Sequence, residues 1–258
     1  MWEVSWLVFE KFKLDGGAMF GIIPKPIWNK LMPADSENRI QLVTRALLLK
    51  QKDKLVLIDC GCGSKWDDKR RSIYAIEPQT NLLDMSKVTD ILLTHLHFDH
   101  GGGISIIRNQ KLEPTFPNAK IYVSEENLKT ALKPNLREKG SYLPENVNLV
   151  AETGETFGGL EVEIFEGVHG YVTFGHTKGM TWFRVKGPDK WYFFPSDLMP
   201  TPNHIKIHYN LGYDICVEKL LEERQFLLEQ ILRFKGAVVF CHDPSVEVMS
   251  WELLKDQM

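Results

Sequence analysis

Apolar positions along the chain fall into short runs separated by polar or glycine-bearing turns. Val4, Trp6, Val8 and Phe12 alternate with mostly polar neighbours, which predicts a strand over residues 2–14 ending at Asp15-Gly16-Gly17. Residues 42–49 and 55–58 are β-prone runs joined by the polar Lys50-Gln51-Lys52-Asp53-Lys54, a hairpin signal. Further strands are predicted at 91–93, 120–123, 147–150, 160–165, 181–185, 191–194 and 237–240. Leu220, Leu221, Leu227, Leu228, Ile231 and Leu232 recur at helical spacing and predict a helix over 217–234 with one apolar face. Ser124 is placed to cap a helix over 125–132, and short helices are predicted at 104–108 and 246–254. Strands cluster, helices intervene, and the cycle occurs twice. The pattern predicts an α+β fold of two β-rich halves faced by helices, with 1–258 as a single domain.

Two segments resist regular assignment. In residues 18–32 the prolines 24 and 26, with Pro33 after them, interrupt bulky apolar residues, so a loop is expected. Its Met19, Phe20, Ile27 and Trp28 must cover something apolar, either the core or a substrate pocket. Residues 133–144 are polar, carry two prolines and are expected to form a surface excursion.

With 43% hydrophobic and 25% charged positions in 258 residues, the chain can bury a sizeable core. Its net charge of -3 argues against a nucleic-acid-coating surface, and the Asp67 to Arg71 run is expected to be a solvated helix face. The start of the chain lacks a basic, then apolar, leader pattern, and no apolar run approaches the ~20 residues that span a bilayer, so a cytoplasmic protein without membrane partners is expected. Four cysteines, at 60, 62, 216 and 241, do not make a disulfide framework or a zinc ribbon, and are expected to be buried or loop thiols. Trp2, Trp6 and Trp28 suggest an apolar face for a second copy of the chain, hence a homodimer.

The chemistry is concentrated in Thr94-His95-Leu96-His97-Phe98-Asp99-His100-Gly101-Gly102-Gly103, directly after the apolar run 91–93. Packing does not ask for three histidines and an aspartate in six positions. Imidazole and carboxylate are ligands for zinc and related cations, and the glycines let the backbone turn tightly around them. The motif is read as half of a two-metal site, and the search for the other half finds His176 at a turn before a strand, Asp197 just after strand 191–194, and His242 just after strand 237–240.

His-x-His-x-Asp-His, then Gly-His-Thr, then Ser-Asp, then Cys-His-Asp, in that order, resembles the metallo-β-lactamase-fold hydrolases, with the layout of their lactonase-like and glyoxalase-like members. The resemblance runs from the strand at Leu55 to His242 and implies an αββα four-layer sandwich with the site at one edge. It implies that His95, His97 and His176 bind one metal, that Asp99, His100 and His242 bind a second, and that Asp197 bridges them. It also implies that Asp59 hydrogen-bonds into the ligand loop, as Asp243 beside His242 could. The cofactors expected are two divalent cations, zinc first, with iron or manganese as alternatives; relatives with di-iron oxygen chemistry usually carry glutamate where His97 stands.

The function expected from these residues is hydrolysis of a small ester, lactone or thioester, a metal-bridged hydroxide attacking the carbonyl while Asp99 moves the proton. Phosphodiesterase or nuclease action on the same fold, and a non-catalytic metal-binding protein, are the alternatives. Phe20, Trp28, His204 and Tyr213 are the candidate pocket residues, although Leu198-Met199-Pro200 lacks the tyrosine that some lactonases carry close behind the bridging aspartate. The partner expected is a small-molecule substrate, with no nucleic acid.

Overall fold

The computed structural model describes Met1–Met258 and contains two large sheets packed face to face. The first has, in spatial order, Glu77–Pro78, Glu3–Asp15, Arg39–Gln51, Lys54–Ile58, Asp90–Leu92, Lys120–Ser124 and Glu155–Phe157. The second has Glu161–Phe165, Val168–Thr173, Met180–Lys186, Trp191–Phe194, Ala237–Val239 and Val248–Ser250. Strand periodicity assigns side chains to layers. Leu47, Leu49, Val56, Ile58 and Leu92 meet Val168, Phe183, Val185, Phe194 and Val239 between the sheets. Ala46, Leu57, Ile91, Ile121 and Val123 point the other way, onto Ala131, Val147 and Val150 of helices Glu125–Leu132 and Pro144–Thr153. On the far side Trp182, Phe193 and Val238 receive Leu220, Leu227, Leu228 and Ile231 of the helix Val217–Phe234. The layers are therefore helix, sheet, sheet, helix, as expected. No helix is long and apolar enough to cross a membrane.

Strand direction decides where chemistry can sit. Lys54–Ile58, Asp90–Leu92 and Lys120–Ser124 run parallel, as do Trp191–Phe194 and Ala237–Val239 of the second sheet. Their carboxyl ends lead into Asp59, Thr94, Asp197 and His242, so both sheets deliver polar residues to one edge. Parallel strands commonly place ligand sites there. Cross-sheet hydrogen bonds close that edge: Thr181 N donates to Thr94 O at 2.8 Å, and Val43 N to His242 O at 3.2 Å.

Several elements differ from the sequence expectation. Residues 147–150 are helical, within Pro144–Thr153: their β-branched residues suggested a strand, but Pro144 opens the helix and Val147 and Val150, three apart, share its buried face. Residues 18–32 are not a loop. Gly16–Phe20 is a helix capped by Asp15, and Pro26 lies in the first turn of Lys25–Leu31, where a missing N–H costs nothing. The expected helix at 104–108 is a strand, Ser105–Arg108, paired to Lys111–Pro114, and that at 246–254 divides into strand Val248–Ser250 and helix Trp251–Lys255. Val168–Thr173 is a further strand, continuous through Gly170, which pairs with Val162 on one side and Phe183 on the other. All four cysteines are free, with only Cys216 exposed. Trp2 and Trp28 lie in the core, and Trp6 is half-buried with its indole N–H donating to Glu247.

Close backbone approach explains the glycines. A Cβ on Gly102 would lie 2.3 Å from the Cys62 carbonyl oxygen, and one on Gly103 would lie 2.1 Å from that of Cys60. Gly103→Ala should therefore destabilise the protein by about 1–3 kcal/mol through overpacking against backbone. Denaturant unfolding checks this; a midpoint equal to that of the parent chain would contradict it.

Candidate metal centre

The turn after strand Asp90–Leu92 carries the three clustered histidines. Thr94 anchors it: its N–H donates to Asp59 Oδ1 at 2.8 Å, and its hydroxyl lies within 3.0 Å of both Asp59 oxygens. Asp59 Oδ2 also accepts from His100 Nδ1 at 2.8 Å, which turns Nε2 of that ring toward the site. Asp59 itself holds φ +64, and Ser196, just before Asp197, holds φ +51. Both are conformations that non-glycine residues adopt at a cost, and here the surrounding hydrogen bonds maintain them. Ser196 Oγ donates to Thr94 Oγ1 at 2.9 Å, tying the two ligand turns together.

His176 and His242 arrive from the second sheet, each with its Nδ1 occupied elsewhere. His176 Nδ1 bonds Asp214 Oδ1 at 2.8 Å, and His242 Nδ1 bonds the Val43 carbonyl at 2.9 Å. The Nε2 atoms of both therefore face inward. The buried Arg45 secures the His242 turn by donating to the carbonyls of Phe240 and Asp243.

The donor atoms gather in two groups, His95, His97, His176 and Asp197, then Asp99, His100, Asp197 and His242, each with all four atoms within 4.8 Å of one another. Asp197 belongs to both, with its oxygens divided. Oδ2 lies 3.2 Å from His176 Nε2 and 3.9 Å from His95 Nε2, while Oδ1 lies 3.0 Å from His242 Nε2 and 3.3 Å from His100 Nε2. Asp99 Oδ2 lies 3.5 Å from His242 Nε2.

This donor set fits divalent cations. His95 Nε2 is buried with no hydrogen-bond partner, an arrangement unfavourable unless something electrophilic meets it. Ring nitrogens also converge on one another, His97 Nδ1 on His176 Nε2 at 3.3 Å and His100 Nε2 on His242 Nε2 at 3.2 Å. The charges agree. Burial, then His100 and His97, hold the His95 pKa well below the ordinary imidazole value, leaving a neutral ring. Burial works the same way on His100, but Asp197, Asp99 and Asp59 outweigh it and raise that pKa well above. Burial likewise opposes an ionised Asp197, yet His100, His242 and His176 hold its carboxyl well below the usual range. A site so rich in carboxylate favours positive charge at its centre.

Above the two groups opens a cavity of about 230 Å³, lined by Asp99 and His97 at its floor, by Leu14, Met19, Phe98 and Leu211, and by Tyr74, Arg137, Ser141 and Tyr213. Of the four residues expected to form the pocket, Tyr213 lines it. Phe20, Trp28 and His204 do not: they are buried behind the wall, Phe20 stacked on both other rings at 5.8 and 5.5 Å. His204 Nε2 bonds the Met19 carbonyl at 2.9 Å, and burial with Arg224 nearby pushes its pKa down to about 3, so it is a neutral core histidine. Asp243 accepts from Ser245 and Val246 N–H groups, caps its own turn, and does not hold the His242 ring.

A match to the family model described as the metallo-beta-lactamase superfamily covers residues 40–227, most of the chain and six of the seven gathered residues. The chain belongs to the metallo-beta-lactamase superfamily. Among superfamily proteins, the type 2 metallo-beta-lactamase of Bacillus cereus is 28% identical over 137 residues; the match covers 52% of this chain and 43% of that protein's length. A probable metal-dependent hydrolase from Staphylococcus aureus has a similar structure, with TM-score 0.89, 24% identity, and 97% of this chain and 92% of that one covered. AidC, a dizinc quorum-quenching lactonase in complex with a product, aligns at TM-score 0.71 and 19% identity over 96% and 89%. At these identities the likeness to solved structures establishes the shared fold.

Three participants escaped the sequence reading of this superfamily member. Asp214 is a lone aspartate 38 residues from the histidine it holds, with no motif around it. Glu138 and Tyr142 lie in the stretch expected to be a surface excursion, yet both are buried; the Glu138 carboxylate accepts from the hydroxyls of Tyr142 and Thr177 and lies 3.9 Å from His97 Nε2. Removing the acceptor for His176 in Asp214→Ala should weaken cation binding at the His95 group about 10–100-fold, sparing the His100 group. Competition against a chromophoric chelator reads the two affinities, and equal losses at both groups would contradict this.

Proposed function

We propose that the chain is a dinuclear metal-dependent hydrolase that opens a small ester, lactone or thioester at its carbonyl. The observation that carries this reading is the division of Asp197, one oxygen toward each histidine group at 3.0–3.9 Å. His95, His97 and His176 would hold one cation and Asp99, His100 and His242 the other, with one oxygen of Asp197 available to each. When bound, zinc, or iron or manganese on the same donors, supplies a nucleophile from water at neutral pH and an acid for the carbonyl oxygen.

The chain's own residues do the rest. Asp99 lines the cavity floor beside His242 and takes the proton released on attack, then returns it to the leaving group. Tyr213 lines the same cavity, and burial with Asp99 nearby pushes its phenol pKa upward, so it meets substrate as a neutral hydroxyl donor. It supplies from a later turn the hydroxyl that Leu198-Met199-Pro200 lacks. Leu14, Met19, Phe98 and Leu211 exclude water and accept an apolar body. The size of the cavity supports a small-molecule substrate.

Chelation should abolish hydrolysis of a panel of model esters, lactones and thioesters, with recovery on adding zinc. Asp99→Asn should lower kcat about 10²–10⁴-fold, in keeping with loss of a proton-transfer group. Full activity in the chelated protein or in Asp99→Asn would overturn the reading. Tyr213→Phe should lower kcat/KM about 10-fold, the order of one hydrogen bond to a developing charge; a change in kcat/KM below twofold would remove that residue's role.

A further inference from the structure

Arg137 is the only lysine or arginine among the residues that line the cavity above the two groups. Everything else there is apolar, neutral or part of the clustered ligands: Leu14, Met19, Phe98 and Leu211 form apolar wall, and Tyr74, Ser141 and Tyr213 offer hydroxyls. A guanidinium has five N–H donors, and this one spends a single NH2 group on the Gly212 carbonyl. It is exposed and makes no ion pair with any carboxylate of the chain. The tether to Gly212 draws the side chain to the cavity rim, next to Tyr213.

Its backbone is held in place relative to the ligands. Arg137 N donates to Asn135 Oδ1 at 2.9 Å, and Glu138 N to the same oxygen at 3.1 Å. Glu138, the next residue, is buried beside His97 and bound to Tyr142 and Thr177, while a β-bridge pairs Tyr142 with His97. The backbone of Arg137 is thus fixed beside a residue packed against His97, and apart from the bond to Gly212 its guanidinium has no hydrogen-bond partner in the protein.

Resting on the hydrolase reading above, we infer that Arg137 recognises a carboxylate on the substrate, remote from the bond that is cleaved. The substrate class is then an ester, lactone or thioester with a short apolar body and a free carboxylate. A planar guanidinium matches a carboxylate with two parallel hydrogen bonds. One positive charge balances one carboxylate, and a phosphate dianion would find no second cation on this wall.

The test compares, on the metal-loaded protein, the nitrophenyl monoester of glutaric acid with the nitrophenyl ester of butyric acid, and in parallel the binding of glutarate, butyrate and a phosphonate analogue of glutarate by calorimetry. The parent chain should prefer the carboxylate ester and glutarate over their neutral or shorter counterparts about 10–100-fold, the range of a charged hydrogen-bonded pair. In Arg137→Gln that ratio should collapse toward unity, with the loss in KM, and Arg137→Lys should restore part of it. A ratio unchanged in Arg137→Gln, or no preference in the parent chain, overturns the inference. Tighter binding of the phosphonate than of glutarate overturns the carboxylate assignment. If neither these esters nor any lactone or thioester of the panel is turned over, the hydrolase reading fails, while the calorimetric ratio still decides for or against Arg137.

Discussion

Asp197 is a buried carboxylate with two imidazole nitrogens against each oxygen, and most of the polar structure around it exists to keep that arrangement. An ionised carboxylate and five rings withdrawn from water would be costly without compensating charge. Compensation is local and specific: each ring whose outer nitrogen is engaged turns its other nitrogen inward. Asp59 does this for His100, Asp214 for His176 and the Val43 carbonyl for His242. The centre is therefore a set of lone pairs directed at two points, with the protein's hydrogen bonds spent on direction.

The fold makes this geometry possible through strand polarity. Parallel strands in each sheet end at the same edge, so residues far apart in the chain arrive together. At the centre, Asp59 and Ser196 hold left-handed backbone, each adjoining a strand end and each fixed through Thr94. Arg45 and Arg224 play a parallel part among the loops. Both are buried and donate to backbone carbonyls, Arg45 around His242 and Arg224 to Leu198, Ile207 and Tyr209 in the segment after Asp197. A long cation bonded to several carbonyls stiffens irregular backbone that no sheet supports.

Motif density made the seven clustered residues legible, because histidines and aspartates at strand ends have no packing role to explain them. Alternation made the sheets legible, as the Val56, Leu57, Ile58 run shows: the outer two residues face the second sheet and the middle one faces a helix. Where a short apolar run lacked length, period failed; residues 147–150 carry β-branched side chains yet lie in a helix because their buried face repeats every three residues. Partners of the ligands were hidden for a different reason. Asp214 and Glu138 are single acidic residues outside any motif, indistinguishable by type from solvated ones until the fold buries them. Bulk misled in the opposite direction: Phe20, Trp28 and His204 looked like pocket wall, but their rings stack on one another and are claimed by the core.

One measurement reaches the centre of this picture. Anomalous diffraction from crystals of the zinc-loaded protein should show two peaks about 3.5–4 Å apart, one on the Oδ1 side of Asp197 and one on the Oδ2 side. A single peak, or two peaks on the same side of that carboxylate, would contradict the shared-carboxylate centre.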